Sequence, residues 1–217
     1  MQQILTTLSE RASPAHTALL VIDMQNDFCA EGGHIHRVKG RDVSVCKPLA
    51  GRIAQLLASA RASGVLPIWV RAIYDTKYLA PPVLAKQIDN GAPGIVVCGE
   101  GTWGAEYFEI APEPGEFEVI KHRFSAFSCT ELDNILRDHG IRTLVFSGVQ
   151  TNICVESTLR DGLMNGYYIV VPADCVASDD QRMHEATLTN VGALFGDVTD
   201  GDTLQRLWSR TVRAAAE

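Results

Sequence analysis

The sequence predicts an α/β protein with three layers: a doubly wound, mostly parallel sheet with helices on both faces. Segments typical of strands and helices alternate along the 217 residues. Several strand segments are continuous apolar runs, among them TALLVI at 17–22 and TLVF at 143–146. Continuous apolar strands are typical of parallel sheets covered on both faces. The chain length and the absence of repeats or low-complexity tracts predict a single domain over residues 1–217.

The first half of the chain is predicted to supply three strands. Hydrophobic periodicity locates the predicted helices and strands, and Gly or Pro residues mark their ends. In order they are an arm or short helix at 1–15, a strand at 17–23, a loop at 24–36, a helix at 45–60 that stops at Gly64, a strand at 65–70, a long loop at 71–115 and a strand at 118–121. A long Pro- and Gly-rich excursion inside one domain is typical of a functional loop.

The second half continues the alternation. Its predicted elements are a helix at 130–139, a strand at 143–146, a helix that begins near Cys154 and stops at Gly166, a strand at 168–171, a helix at 180–194, a strand at 197–199 and a helix at 203–215. Strands that alternate with helices are joined by crossovers, which favours parallel pairing.

Composition excludes some functions. The formal net charge is -7 and no Lys/Arg cluster is present, so a nucleic-acid surface is not expected. No apolar run is long enough to cross a bilayer, and the first residues lack a secretory pattern, so no membrane partner is expected. The six cysteines are scattered without a CxxC motif, and we expect reduced thiols in the cytoplasm.

Three strand ends supply side chains that can react together. Asp23 ends the first strand, Lys121 ends the third, and Cys154 follows the fourth. The carboxyl ends of parallel strands form the ligand crevice of such a sheet. There Asp23 could take the thiol proton and return it to a leaving amine, and Lys121 could hold both groups by charge. The backbone N–H of Cys154, with one from residues 148–150, could bind an oxyanion.

The position of Cys154 is the start of a helix, after the polar turn Gln150-Thr151-Asn152. The positive end of the helix dipole favours an anion, so we expect a lowered thiol pKa. Each of the three residues also has a structural interpretation. Cys154 could be a small buried apolar side chain, Asp23 a helix cap, and Lys121 a solvated strand end.

Three blocks of the sequence resemble a known family. They are ALLVIDMQNDF at 18–28, KHRFSAF at 121–127 and GVQTNICVESTLRDG at 148–162. The blocks and their order resemble the isochorismatase-like cysteine hydrolases, which include nicotinamidases, N-carbamoylsarcosine amidohydrolase, biuret hydrolase and ureidoacrylate amidohydrolase. The resemblance implies the isochorismatase-like hydrolase fold, an Asp23–Lys121–Cys154 triad and a cis peptide bond between Val149 and Gln150. It also implies an acyl-enzyme on the sulfur, with release of ammonia or an amine.

Two departures narrow the expected chemistry. Nicotinamidases hold a metal with an Asp-x-His and a further His after the second strand, but residues 71–78 here contain no histidine. His34 and His36 are expected to face solvent, so we predict no metal and no cofactor. Isochorismatases proper lack the nucleophilic cysteine, and Cys154 argues against their vinyl-ether hydrolysis.

The substrate is predicted to be a small linear amide or ureido (carbamoyl) compound. The predicted pocket residues are Phe28, Tyr74, Trp103, Phe127 and Gln150. Core packing is an equal alternative for the aromatic ones. Arg71 and Arg123 are available for a substrate carboxylate.

The alternative function is a non-catalytic small-molecule or nucleotide-binding module, although the sequence has no Gly-rich phosphate motif. By resemblance we also expect a homo-oligomer, with the 71–115 loop closing its own or a neighbour's pocket.

Overall fold

Seven strands form one sheet in which all the paired strands that the structure describes are parallel. The computed structural model describes residues 4–216, and side chains to residue 210. The strands are β1 (Thr17–Ile22), β2 (Leu66–Ala72), β3 (Phe117–Lys121), β4 (Thr143–Val149), β5 (Tyr168–Pro172), β6 (Val176–Ala177) and β7 (Asp197–Thr199). Their order is β3-β2-β1-β4-β5-β7, and β6 pairs with the end of β4.

The strand order places a switch point between β1 and β4. From β1 the chain winds outward to β2 and β3, and then returns to β4 on the other side of β1. Ligands bind in the crevice outside the carboxyl ends of the strands at such a point. Asp23 and the segment that carries Cys154 lie at this edge, because they follow β1 and β4 directly.

Helices cover both faces of the sheet. They are α1 (Leu8–Arg11), α2 (Asn26–Cys29), α3 (His34–Arg37), α4 (Cys46–Ser63), α5 (Pro81–Asp89), α6 (Leu132–Asp138), α7 (Glu156–Met164), α8 (Gln181–Asn190) and α9 (Gly201–Ala216). Alternate residues of β1 supply the two cores: Leu19 and Val21 pack in the cluster that contains α4 and α9 residues, and Leu20 packs in the cluster with α6 and α7 residues. The predicted three-layer, doubly wound fold is therefore confirmed.

Most predicted elements are present, with different ends. Helix α4 ends as predicted at Gly64, whose φ of 82° is left-handed and whose N–H donates to the carbonyls of Ala60 and Arg61. Strand β4 runs three residues beyond the predicted end, to Val149. The predicted helix at 180–194 is regular only to Asn190 and finishes as a π-helical turn, Val191–Phe195. Residues 1–3 of the predicted N-terminal arm lie outside the described residues.

Two predicted loops contain helical structure. The segment at 24–36 holds α2 and the start of α3. The segment at 71–115 is not irregular throughout, since it includes α5 and two short 3₁₀ turns, Thr76–Tyr78 and Trp103–Ala105. Within residues 4–216, no helix is both long enough and apolar enough to span a bilayer.

Candidate active site

Three strand ends bring Asp23, Lys121 and Cys154 into contact. The Lys121 Nζ lies 2.8 Å from Asp23 Oδ2 and donates to Cys154 Sγ at 3.4 Å. Asp23 follows β1 directly, Lys121 is the last residue of β3, and Cys154 lies in the π-helical turn Thr151–Val155 between β4 and α7. Lys121 has no solvent exposure, and the other two side chains are also buried.

A glycine lets β4 approach β1 closely at this edge. A Cβ on Gly148 would lie 2.0 Å from the carbonyl oxygen of Ile22, and the φ of Gly148 is 106°. Only glycine fits both conditions without strain. Asp23, the residue after Ile22, also has a left-handed backbone conformation, with a φ of 54°. Its N–H donates to the Val70 carbonyl at 2.9 Å. An aspartate tolerates this conformation better than most residues, but at a cost in backbone strain.

The Lys121 ammonium has a partner for each of its three protons. Besides Asp23 and Cys154, it donates to the hydroxyl of Tyr74 at 2.6 Å. An ammonium has three N–H donors, so its capacity is used in full. Burial disfavours the charged form, but the Asp23 carboxylate and the Cys154 sulfur outweigh burial and raise the pKa of Lys121. The residue therefore stays charged at neutral pH.

The Cys154 thiol is neutral in this arrangement. Burial raises its pKa to about 12, and the Asp23 charge adds to this, while Lys121 and the Tyr74 hydroxyl act in the opposite direction. The expected lowering of the thiol pKa by the helix start is wrong, because burial next to a carboxylate outweighs it. Burial also raises the pKa of Asp23, against the lowering effect of Lys121. A carboxylate with raised proton affinity thus lies beside a protonated thiol.

The Gln25 side chain connects segments around the site through hydrogen bonds. This role was not predicted from the sequence. The Gln25 amide nitrogen donates to the carbonyls of Ala72 and Ala105, at 3.0 and 2.9 Å, and its amide oxygen accepts from the Ala72 N–H at 2.8 Å. These bonds join the segment that follows β1 to the end of β2 and to the turn Trp103–Ala105. The available signal was an amide side chain three residues past the end of an apolar strand, where a buried polar group needs hydrogen-bond partners.

Asp27 also holds the 71–115 segment by a hydrogen bond. Its carboxylate accepts from the backbone N–H of Cys98 at 2.6 Å and of His34 at 3.1 Å. Gly104 lies directly against it, since a Cβ there would be 2.3 Å from the carboxylate. The packing at Gly104 therefore fixes how the long segment covers this edge of the sheet.

Thr158, on α7, fixes the turn that carries the cysteine. Its hydroxyl donates to the Cys154 carbonyl at 2.6 Å and accepts from the Ala126 N–H at 3.1 Å. The two bonds connect the Cys154 turn with the segment that follows β3. The peptide bond between Val149 and Gln150, just before this turn, is cis, as the resemblance implied.

Of the predicted pocket residues, Tyr74 contacts the triad, whereas Phe28 and Gln150 line a small cavity whose lining does not include the triad side chains. Tyr74 contacts both Lys121 and Cys154, with its hydroxyl 3.6 Å from the sulfur. Phe28 and Gln150 are buried and line one small cavity together with Val149. The Gln150 amide oxygen accepts from the Asp179 N–H at 2.7 Å, so this oxygen is already engaged.

Three other predicted pocket residues have no contact with the triad in the described part of the chain. Arg71 pairs with Glu118 at 3.0 Å and lies over the Tyr107 ring. Phe127 packs against the ring of Tyr167 in the core on the α6 and α7 side of the sheet. Trp103 is 51% exposed. For Phe127 the core-packing alternative therefore holds, whereas Arg71 is paired with a carboxylate and Trp103 faces solvent.

Arg123 lies nearer. Its main-chain carbonyl accepts from the Tyr74 hydroxyl at 3.0 Å, while its guanidinium donates through Nη1 to the carbonyls of Tyr78 and His122. A guanidinium has five N–H donors, so one nitrogen is committed and other donors remain for a ligand.

The expectation for the two loop histidines is half wrong. His36 is exposed as expected, but His34 is buried, because α3 folds it against the body of the protein. Among the described residues, no three His, Cys, Asp or Glu side chains form a cluster that could hold a metal ion. The six cysteines, all in the described part of the chain, are free thiols, and only Cys129 is exposed.

Comparison with known proteins decides the family. The Isochorismatase domain model matches residues 17–203. A ureidoacrylate amidohydrolase of Methylobacterium radiotolerans is 36% identical over 200 residues, which cover 86% of this chain and 77% of that protein. The chain belongs to the isochorismatase family. A ureidoacrylate amidohydrolase from an Enterobacter species is 35% identical over 222 residues, with 90% of this chain and 92% of that protein covered.

Solved structures of isochorismatase-like proteins share the fold. A cysteine hydrolase from Pseudomonas syringae superposes with a TM-score of 0.80 at 26% identity, covering 97% of this chain and all of that one. An N-carbamoylsarcosine amidase from Thermoplasma acidophilum gives 0.67 at 27% identity, covering 86% and 97%. The nicotinamidase of Bacillus subtilis, at 24% identity and 0.71, shows the likeness of fold alone, with 85% of this chain and 99% of that one covered.

Proposed function

We propose that this isochorismatase-family protein is a cysteine-dependent amidohydrolase that cleaves a C–N bond of a small linear amide or ureido compound. The observation that carries the proposal is the buried contact of Lys121 with both Asp23 and Cys154. A nucleophile, a proton acceptor and a cation meet there at one point. The similarity to proteins named ureidoacrylate amidohydrolase supports the substrate class.

The first half of the reaction forms an acyl-enzyme. Asp23 takes the thiol proton as the Cys154 sulfur attacks the carbonyl carbon, so a C–S bond forms and the C=O π electrons move to oxygen. The oxyanion is held by the backbone N–H of Cys154 and by one from the turn at Val149-Gln150. When the intermediate collapses, the C–N electrons leave with nitrogen, which takes the proton from Asp23.

The second half adds water. A water molecule gives a proton to Asp23 while the water oxygen attacks the acyl carbon. The C–S bond then breaks, and its electrons stay on sulfur. The sulfur regains its proton from Asp23, which restores the starting state. Lys121 stays protonated throughout, and its charge offsets the anion that alternates between carboxylate and sulfur. No metal or cofactor is needed in this sequence of steps.

The binding of the substrate is assigned to side chains around the sulfur. We assign apolar and hydrogen-bonding contacts to Tyr74, which touches the sulfur, and to Phe28 and Gln150, which line the small cavity beside Val149. A substrate carboxylate would bind Arg123, because Arg71 is already paired with Glu118.

The test is a screen for ammonia release. The substrates are ureidoacrylate, biuret, N-carbamoyl amino acids, maleamate and nicotinamide. The wild-type protein should turn over at least one of them, Cys154→Ala should abolish turnover with the fold intact, and Cys129→Ala should retain it, because that exposed cysteine is outside the site. Full ammonia release by Cys154→Ala would reject the proposal, and no release from any substrate would favour a binding module.

Assembly and location belong to the same proposal. We propose that residues 1–217 form one cytoplasmic domain that self-associates through the 71–115 segment, where Ile88, Val96 and Trp103 are exposed apolar side chains. Sedimentation of the purified protein tests the assembly, and a purely monomeric species would contradict it.

A further inference from the structure

The hydroxyl of Tyr74 contacts both the Lys121 ammonium and the Cys154 sulfur. The sequence predicts Tyr74 as a pocket residue or, equally, as a core aromatic, and the proposed reaction gives its hydroxyl no step. We propose that Tyr74 is a catalytic residue whose hydroxyl donates a hydrogen bond to the Cys154 sulfur when that sulfur becomes an anion. This role rests on the proposed function, in which Cys154 is the nucleophile.

The hydrogen-bond geometry leaves the Tyr74 proton two acceptors. The hydroxyl oxygen accepts from Lys121 Nζ at 2.6 Å, so its own proton must point elsewhere. The Arg123 carbonyl lies at 3.0 Å and the Cys154 sulfur at 3.6 Å. A neutral thiol is a weak acceptor, so the carbonyl holds the proton in the resting state. A thiolate is a charged and stronger acceptor, and turning the proton toward it requires only rotation about the C–O bond.

Proton transfer from Cys154 to Asp23 also favours hydrogen bonding to the sulfur. Once Asp23 holds the thiol proton, its carboxyl group is neutral and competes less for the Lys121 ammonium. The sulfur then carries the only negative charge among the three groups. Lys121 and Tyr74 can both donate to it, so the anion has two donors instead of one.

Tyr74 is suited to donate without ionising. Burial raises its pKa well above the ordinary value, and the nearby Cys154 and Asp23 add to this effect, so the hydroxyl keeps its proton at any working pH. The ring is also held in place. The Tyr74 N–H donates to the Val97 carbonyl at 3.1 Å, and the ring lies edge to face with Phe124 at 6.3 Å. A rigid neutral donor lowers the energy of an anion without competing for its proton.

The experiment follows alkylation of Cys154 by iodoacetamide across pH, read by mass spectrometry of the peptide that contains it. Tyr74→Phe keeps the ring and removes the hydroxyl. We expect the alkylation rate of this variant at fixed pH to fall about tenfold to a hundredfold, because one charge-assisted donor is lost, and its pH profile to move to higher pH. With a substrate identified, kcat should fall by a similar factor, with KM changed less.

The matched control is Tyr167→Phe. The Tyr167 hydroxyl donates to Asp133 at 2.7 Å in the core beside α6, where it touches no reacting group. Its loss should lower the melting temperature without moving the alkylation profile. This contrast separates a role in ionising the sulfur from a general structural role.

The outcomes divide clearly. A folded Tyr74→Phe protein with the wild-type alkylation profile would overturn the proposal, even if its melting temperature fell. If Tyr74→Phe does not fold, Tyr74→Met replaces it, since methionine adapts to irregular space and carries no hydroxyl. The alkylation needs no substrate. A shifted profile without any turnover would therefore leave the donor role standing and count against the amidohydrolase.

Discussion

Asp23→Asn should make the Cys154 thiol more reactive while it removes turnover. In the wild-type protein the Asp23 charge raises the thiol pKa, second only to burial, and Lys121 opposes it. Asparagine has nearly the same shape without the charge. The thiolate of the variant would therefore face the Lys121 ammonium alone, and the pKa of Cys154 should fall from its value of about 12.

The magnitude follows from the distances around Lys121 Nζ. This nitrogen lies 2.8 Å from the Asp23 carboxylate and 3.4 Å from the sulfur. The two anions are therefore no farther apart than those distances combined, about 6 Å, at which unit charges repel by about 3 kcal/mol with an effective dielectric constant near 20. That energy corresponds to about a hundredfold more thiolate at neutral pH.

The assay is the pH dependence of iodoacetamide alkylation at Cys154, read on its own peptide. The thiolate forms as pH rises toward the pKa, so a lowered pKa moves the whole profile to lower pH. Lys121→Met should move it the other way, because it removes the cation that favours the anion. Turnover of Asp23→Asn should still fall by about a hundredfold or more, since the general base and acid are gone.

One result would contradict this role of the Asp23 charge. A folded Asp23→Asn protein whose Cys154 reacts no faster than in the wild type would show that the carboxylate does not hold the thiol neutral. Circular dichroism of each variant establishes that the fold is retained.

Other variants test the parts around the site. Gly104→Ala should cost about 1–3 kcal/mol of unfolding free energy, because its Cβ would lie 2.3 Å from the Asp27 carboxylate, which is bonded to two backbone N–H groups. As a control, Gly51→Ala, in an open helical position, should gain about 0.5–1 kcal/mol of unfolding free energy. Gln25→Leu should lose about 2–5 kcal/mol in denaturant unfolding, since it leaves three buried backbone groups without partners. Arg71→Gln should leave KM for an anionic substrate unchanged, whereas Arg123→Gln should raise KM at least about tenfold. A stable Gly104→Ala or Gln25→Leu protein, or equal KM effects of the two arginines, would contradict these expectations.

The fold and the three reactive positions could be predicted because they follow from local pattern. Continuous apolar runs identified β1 and β4, and alternation with helices implied parallel pairing. Parallel pairing places strand ends at one edge, which is why Asp23, Lys121 and Cys154 could be grouped before their distances were known.

The missing parts depend on contacts between distant segments. The pairing of Arg71 with Glu118 needs the register of β2 against β3, which strand propensity does not give. Strand β6 has only two residues, too few for a periodic pattern. The thiol pKa was predicted in the wrong direction because a helix start is visible in the sequence, whereas burial beside Asp23 is a property of the assembled site.

Mass spectrometry of the intact protein, quenched during turnover of a substrate found in the ammonia screen, tests the central claim most directly. If Cys154 is the nucleophile, a transient adduct with the mass of the acyl group should appear on the peptide that contains Cys154 and be absent from Cys154→Ala. Sustained turnover by the wild type with no such adduct, together with undiminished turnover by Cys154→Ala, would contradict it.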